Sequence, residues 1–204
     1  LFAMFFSKKF TLAGPIRGLV LVGYMMPMSV TALLGKNLFL LDGGVINDLL
    51  MKVHLISSPI DWLVNGGTAL GAVIAVNCWV GIPFNMLLLT SGLTGISTDI
   101  YESASMDGAN AFKRFIYITL PLMKPAMLSV LMLGFIYTFK AFDLMYIMTA
   151  GGPFNSTDVL GTYAYSKAFT QYEFSQGSAI AMVLFACLFL VGIFYLKLLS
   201  KEDD

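Results

Sequence analysis

The chain has 204 residues, 58% of them apolar by type and only 12% charged, and its 12 basic and 12 acidic side chains cancel. A soluble domain averages about 45–50% apolar and about 25% charged residues. A chain this short leaves a large share of its surface outside, so a mean hydropathy of +0.82 excludes an ordinary water-soluble globule and a disordered chain. With no net positive field a nucleic-acid binder is excluded as well, and the class that remains is a polytopic membrane protein, whose expected architecture, with the helical spans read below, is all-α.

In chain order, the apolar run Leu1–Phe6 precedes Ser7, Lys8 and Lys9. A secretory signal has its charge first and its apolar stretch second, so the run is expected to be the tail of a membrane helix whose earlier part lies upstream. A spanning helix needs about 20 predominantly apolar residues to cross about 30 Å of hydrocarbon, and four stretches qualify. The first runs from about Pro15 to Leu34 with Pro27 as a kink. The second runs from about Gly67 to Thr90 with Pro83 inside. The third runs from about Pro125 to Thr149 and the fourth from about Gly177 to Leu196. Internal prolines are tolerated where neighbouring groups re-satisfy the freed carbonyls. Between the first two spans, Asp42-Gly43-Gly44 is a turn and Val45–Leu55 reads as a short interfacial helix.

Loop charges set the orientation. Lys8, Lys9, Arg17, Lys113, Arg114, Lys124, Lys197 and Lys201 share one face, and Lys36, Lys52 and Lys167 the other. The richer face is cytoplasmic, so the 92–124 loop and the C-terminus are expected inside the cell membrane. Residues 35–66 and 150–176 then face outward. Cys78 and Cys187 lie in apolar runs without paired spacing and read as buried, inert thiols. His54 is the lone histidine and reads as a surface-loop residue, which leaves no histidine-based metal site or triad.

The cytoplasmic loop is longer than a turn between spans requires. Asp99 with Glu102 three residues on fits an N-cap and its partner, and Ile100, Ala104 and Ala111 fit one helical face. Gly108 either breaks this helix or lets another backbone approach closely. A second amphipathic stretch, 112–120, leads to Pro121 and Pro125, which restart the chain as a membrane helix. In the third span Phe135, Phe139, Phe142 and Tyr146 fall at i, i+4, i+7 and i+11, a single stripe. Lys140 and Asp143 are three residues apart, within reach of each other. Ionisable groups at membrane depth are costly and face wet cavities. An aromatic stripe beside a polar pair suits a sugar, which offers hydroxyls and an apolar ring face. Packing between helices and a structural ion pair are the plainer reading. Asn77, Gly81 and Asn85 give the second span a weakly polar side, suited to lining a path or to helix–helix hydrogen bonds.

Glu102-Ser103-Ala104, then Asp107-Gly108-Ala109, Phe115, Ile118, Leu120-Pro121 and Pro125 resemble the "EAA" loop of permease subunits of binding-protein-dependent ABC importers. Ser103 departs from the usual alanine, small for small. The 139–143 stretch, Tyr146 to Pro153, Thr157 to Tyr163 and Lys167-Ala168-Phe169 are similar to the carbohydrate branch of that family. The chain's end favours the maltose/glycerol-phosphate first-permease type.

The resemblance implies a type I importer permease over residues 1–204, with four complete spans and a partial one here where six are usual. It implies a heterodimer with a second permease subunit, two ATP-binding subunits, an extracytoplasmic solute-binding protein and a carbohydrate substrate. It implies no cofactor, no metal and no catalysis by this chain, which lacks a GxxxxGK[ST] phosphate loop. Glu102, Ala104, Asp107, Gly108 and Ala109 would form the coupling helix seated on the ATPase. Glu102 and Asp107 would meet basic groups there or simply cap their own helix. Asn77, Asn85, Phe142, Asp143 and Tyr146 are the candidates for the substrate path. An importer of a non-sugar solute and an ion-driven secondary transporter using Lys140 and Asp143 are the rival readings.

Overall fold

The structure, a computed structural model, describes residues 2–7 and 13–200. Leu1, Lys8, Lys9 and Lys201, which entered the reading of the first run and of the loop charges, lie outside them. No strand occurs among the described residues. The helices are α1 (Phe2–Ser7), α2 (Ala13–Met25), α3 (Met28–Leu38), α4 (Val45–Lys52), α5 (Gly66–Thr94), α6 (Thr98–Met106), α7 (Ala111–Arg114), α8 (Leu120–Leu122), α9 (Lys124–Phe139), α10 (Asp143–Thr149), α11 (Leu160–Tyr165) and α12 (Phe174–Ser200). Single π-helical turns, Phe115–Thr119 and Ser166–Thr170, follow α7 and α11.

Two of these helices, α5 and α12, are long and apolar enough to cross a bilayer, or four spans result if two bent pairs each count as one. With 29 residues and ~1.5 Å of rise each, α5 exceeds the ~30 Å hydrocarbon core and carries the buried Pro83 without interruption. The most apolar stretch of α12 buries no residue within the chain. A helix apolar on all sides and uncovered by its own chain is one that meets lipid or another protein.

Two spans differ from the sequence reading. At Pro27 the chain breaks rather than kinks: α2 stops at Met25 and Pro27, with ψ of 139°, sits outside α3. The Pro27 carbonyl accepts from the Thr31 amide and hydroxyl, at 3.0 and 3.3 Å, so the proline starts a new helix. The third span does not continue to Thr149, because α9 ends at Phe139 and α10 starts at Asp143. Phe135, Phe139, Phe142 and Tyr146 therefore do not form one helical stripe. Both Lys140 and Asp143 are exposed and form no ion pair with each other. Ending the helix there leaves the lysine outside an apolar helix interior and puts the aspartate in the first turn of α10, where a negative charge suits the helix dipole. Ahead of α9, 111–122 and α9 meet at a 65° bend, just before Pro125.

The chain divides into two compact units. The described residues within 1–24, 81–135 and 191–204 form one, and those within 25–80 and 136–190 the other. In the first, Tyr24 stacks on Phe84 at 5.7 Å, and the Tyr195 and Ser129 hydroxyls meet at 2.9 Å.

The second unit has the denser core, built from Ala32, Phe39, Ala72, Val73, Val76, Leu144, Met145 and Met148. Its loop ahead of α5 hangs on Asn47 of α4, which is 1% exposed. The Asn47 amide donates to the carbonyls of Leu40, Leu41 and Ile60, at 3.1, 3.3 and 2.9 Å. Its carbonyl accepts from the Ile60 amide at 3.1 Å and the Trp62 indole at 2.8 Å. Every polar site of a buried amide is thus used, as burial requires. A short helix is present where one was expected over Val45–Leu55, as α4, Val45–Lys52. His54 is exposed as expected. Cys78, expected buried, is exposed on α5, and Cys187 is half-buried; an apolar run does not bury a thiol on the part of the helix that its own chain leaves uncovered.

Candidate functional site

The loop after α5 folds into a braced helical hairpin. Ser97, in an extended conformation, caps α6: its hydroxyl accepts from the Asp99 amide at 3.3 Å. The cap is therefore two residues earlier than the Asp99–Glu102 pair suggested, and Asp99 lies in the first turn, where the dipole favours a carboxylate. At the other end the Gly108 amide donates to Ser105 O at 3.1 Å and the Ala109 amide to Ala104 O at 2.9 Å. Those two bonds are a Schellman close. It needs a left-handed residue at Gly108, whose φ is +76°. A Cβ there would meet nothing within 4 Å, so within this chain the glycine serves backbone conformation rather than close approach.

Asn110 then caps α7, accepting from the Lys113 amide at 2.9 Å. Two side-chain links tie the arms. Arg114 Nη1 donates to Ser105 Oγ at 2.7 Å, and the Tyr101 hydroxyl meets Thr119 Oγ1 at 2.9 Å, where Thr119 is buried. Thr119 closes the π-helical turn, a geometry that recurs at functional positions. The inward residues of α6 are the half-buried Tyr101 and Ala104. Ile100 is exposed, and Ala111 belongs to a different helix. Glu102, Ser103, Asp107 and Gly108 are exposed, and Glu102 and Asp107 have no side-chain partner among the described residues. Met106 is 83% exposed and Phe112 71%. A rigid hairpin thus presents two apolar side chains and two unpartnered carboxylates outward.

The path candidates are only partly brought together. Phe142 stacks on Tyr146 at 5.2 Å, 16° from parallel. Both rings touch Tyr165 of α11, at 5.2 and 4.9 Å. Asp143 is adjacent in sequence but exposed. Asn77 is half-buried in the second unit. Asn85 lies in the first unit, its carbonyl oxygen buried without a hydrogen-bond partner among the described residues. In the second unit a cleft of roughly 520 Å³ is lined by Thr138, Phe139, Asp158, Val159, Leu160, Tyr163 and Leu184. The Asp158 carboxylate accepts from the Thr162 hydroxyl. Sequence reasoning missed Tyr101, Thr119 and Tyr165. The i, i+3 spacing of Tyr101 and Ala104 was the only local sign of an inward face.

Such a chain, helical, apolar and carrying a polar hairpin between spans, is an integral membrane component. Residues 1–201 match the family described as the binding-protein-dependent transport system inner membrane component, and the chain belongs to that family. It is 33% identical to the trehalose/maltose transport system permease protein MalF of Thermococcus litoralis, across 96% of this chain and 65% of that one. It is 32% identical to the sulfoquinovosyl glycerol transport system permease protein SmoG of Agrobacterium fabrum, across 98% of this chain and 65% of that one. The chain thus spans 65% of the length of these relatives. In fold it matches the crystal structure of a bacterial ABC transporter involved in import of the acidic polysaccharide alginate, with a TM-score of 0.86 at 18% identity, covering 99% of this chain and 71% of that one.

Proposed function

We propose that the chain is a permease subunit of an ATP-driven carbohydrate importer, with the α6–α7 hairpin as its coupling element. The observation that carries this is the hairpin: two helices locked together by Arg114–Ser105 and Tyr101–Thr119 that still expose Glu102, Met106, Asp107 and Phe112. A rigid lever with an unpaired outer face transmits the motion of a partner, and the partner is the ATP-hydrolysing subunit of the assembly. Glu102, Ala104, Asp107, Gly108 and Ala109 form the contact. Placing this hairpin and the C-terminus in the cytoplasm follows the loop charges. A second permease subunit, two ATP-binding subunits and an extracytoplasmic binding protein complete the transporter. The sugar reading is supported by the trehalose/maltose and sulfoquinovosyl glycerol relatives and by the aromatic group around Phe142 and Tyr146. Asn77 and Asp143 of the second unit, and separately Asn85 of the first, are proposed as polar groups that meet substrate.

In mechanism, ATP binding draws the two ATPase subunits together and the hairpins with them. The motion shifts the spans between inward- and outward-open states, which requires contacts that differ between the two states. The test is uptake of radiolabelled sugar into proteoliposomes holding the full assembly and its binding protein. Uptake should require ATP and vanish without the ATPase subunit. Uptake that persists without ATPase and collapses with an uncoupler would refute the proposal in favour of an ion-driven carrier.

A further inference from the structure

The second unit carries more aromatic surface than the path candidates account for. Beyond Phe142, Tyr146 and Tyr165, the contacts continue from Tyr165 to Phe169 at 5.1 Å and from Phe169 to Phe174 at 6.2 Å. The five rings form one unbroken series from α10 through the π-helical turn to the start of α12. They lie in the segment between the end of α9 and the first residue of α12, and so at one mouth of two membrane helices. The outer members are open: Tyr146 is 38%, Phe169 59% and Phe174 57% exposed.

The series is held in place by the backbone. The Gln171 amide donates to Ser166 O at 2.9 Å, an i→i+5 bond that widens the turn beyond α geometry. Tyr165 and Phe169, four residues apart across that turn, are in ring contact. Lys167 then fixes the exit: its ammonium donates to Gln171 Oε1 at 2.8 Å and Glu173 Oε2 at 3.1 Å, and lies 5.9 Å from the Tyr163 ring centroid. A Cβ on Gly177 would stand 2.7 Å from Ala168 Cβ and 3.0 Å from Ala164 O, so α12 presses directly on the π-helical turn. Lys167 and Glu173 are thus engaged with each other beside the rings, and the exposed rings of Tyr146, Phe169 and Phe174 stand next to the exposed carboxylate of Asp143.

We propose that this five-ring series is a track for an oligosaccharide of two or more sugar rings, taking successive apolar ring faces by stacking and their hydroxyls at Tyr146 and Tyr165. One stacking site would suffice for a monosaccharide; a preorganised row in which each ring touches the next fits an extended chain of like units. The inference rests on the carbohydrate reading above. Lipid, the second permease and chain outside these residues are the other surfaces that could cover the rings, and the test separates them.

The experiment uses the full assembly in proteoliposomes with saturating binding protein, and compares uptake rates of glucose, maltose and maltotetraose. The variants are Phe169→Ala, Phe174→Ala and the conservative Phe169→Trp. Each alanine should slow maltotetraose uptake roughly three- to tenfold, the worth of one aromatic contact, and leave glucose within about twofold. Phe169→Trp should restore the rate, and its fluorescence, taken as the difference from the parent with Trp62 and Trp79, should respond to maltotetraose. Equal losses for all three sugars, or none, would overturn the track while leaving the importer in place, and would assign the rings to packing or lipid. A parent assembly that takes up glucose but neither maltose nor maltotetraose would overturn the track as well, while uptake of these sugars that does not depend on ATP would refute the importer reading on which it rests.

Discussion

Replacing Gly108 separates two reasons for a glycine at the hairpin tip. Its φ of +76° costs an ordinary L-residue about 1–2 kcal/mol, which shifts the local closing equilibrium of α6 by a factor of roughly 5–30. Asparagine tolerates the left-handed region far better than alanine or leucine. Since a Cβ at Gly108 meets nothing within 4 Å, sterics inside the chain add nothing. Conformation alone therefore ranks Gly108→Asn as mild and Gly108→Ala and Gly108→Leu as equally impaired. Close seating against an ATPase subunit ranks them by size instead, with Ala mildest, Asn worse and Leu worst. The assay is the ratio of sugar molecules imported to ATP hydrolysed in proteoliposomes, with insertion checked by the amount of protein reconstituted. The expected result is normal insertion for all three, with hydrolysis that outruns import in the Asn and Leu variants. A Gly108→Asn assembly with parental coupling would refute seating at this glycine and leave only its turn-forming role.

Asn47→Ala removes five hydrogen bonds and strands the Leu40, Leu41 and Ile60 carbonyls, the Ile60 amide and the Trp62 indole. At ~1 kcal/mol net per bond, with more for groups left buried, the loss is on the order of 3–5 kcal/mol. It should appear as a lower thermal midpoint in detergent and protease cleavage within 53–65; an unchanged midpoint would show that the loop is held otherwise. Tyr101→Phe deletes the hydroxyl that meets Thr119 at 2.9 Å and should cost about 1 kcal/mol, seen as faster amide exchange in 98–119 with partial loss of coupling. Exchange unchanged there would mean the brace is unimportant. Gly177→Leu drives a side chain into Ala168 and Ala164 and should destabilise by about 1–3 kcal/mol, with a measurable fall in midpoint; tolerance would show that α12 moves freely off the π-helical turn.

The helices α5 and α12 were legible because long apolar runs leave few alternatives to a span. Pro27 and Pro83 looked alike in sequence, yet one breaks the chain and the other does not. The difference shows only in the backbone: Pro27, with ψ of 139°, leaves the helical region and precedes α3, whereas Pro83 stays within α5. The end of α9 at Phe139 was hidden because the aromatic period runs on through Phe142 and Tyr146. What ended the helix was the polar pair Lys140 and Asp143 within that period. The α6–α7 hairpin was legible as a motif, but its brace was not: Tyr101 meets Thr119 across 18 positions. Asn47 and the rings beyond Tyr146 escaped for the same reason, since their partners arrive through tertiary folding.

The most direct measurement places a photo-crosslinking residue at Met106, 83% exposed on the hairpin, in native membranes of cells carrying the whole transporter. Its control is the same residue at Phe154, 99% exposed in the loop between α10 and α11. A covalent adduct from Met106 to a nucleotide-hydrolysing subunit, absent from Phe154 and altered in yield by ATP, is the expected result. Illumination that joins Met106 only to lipid or to another permease, with no ATPase captured, would contradict the coupling role.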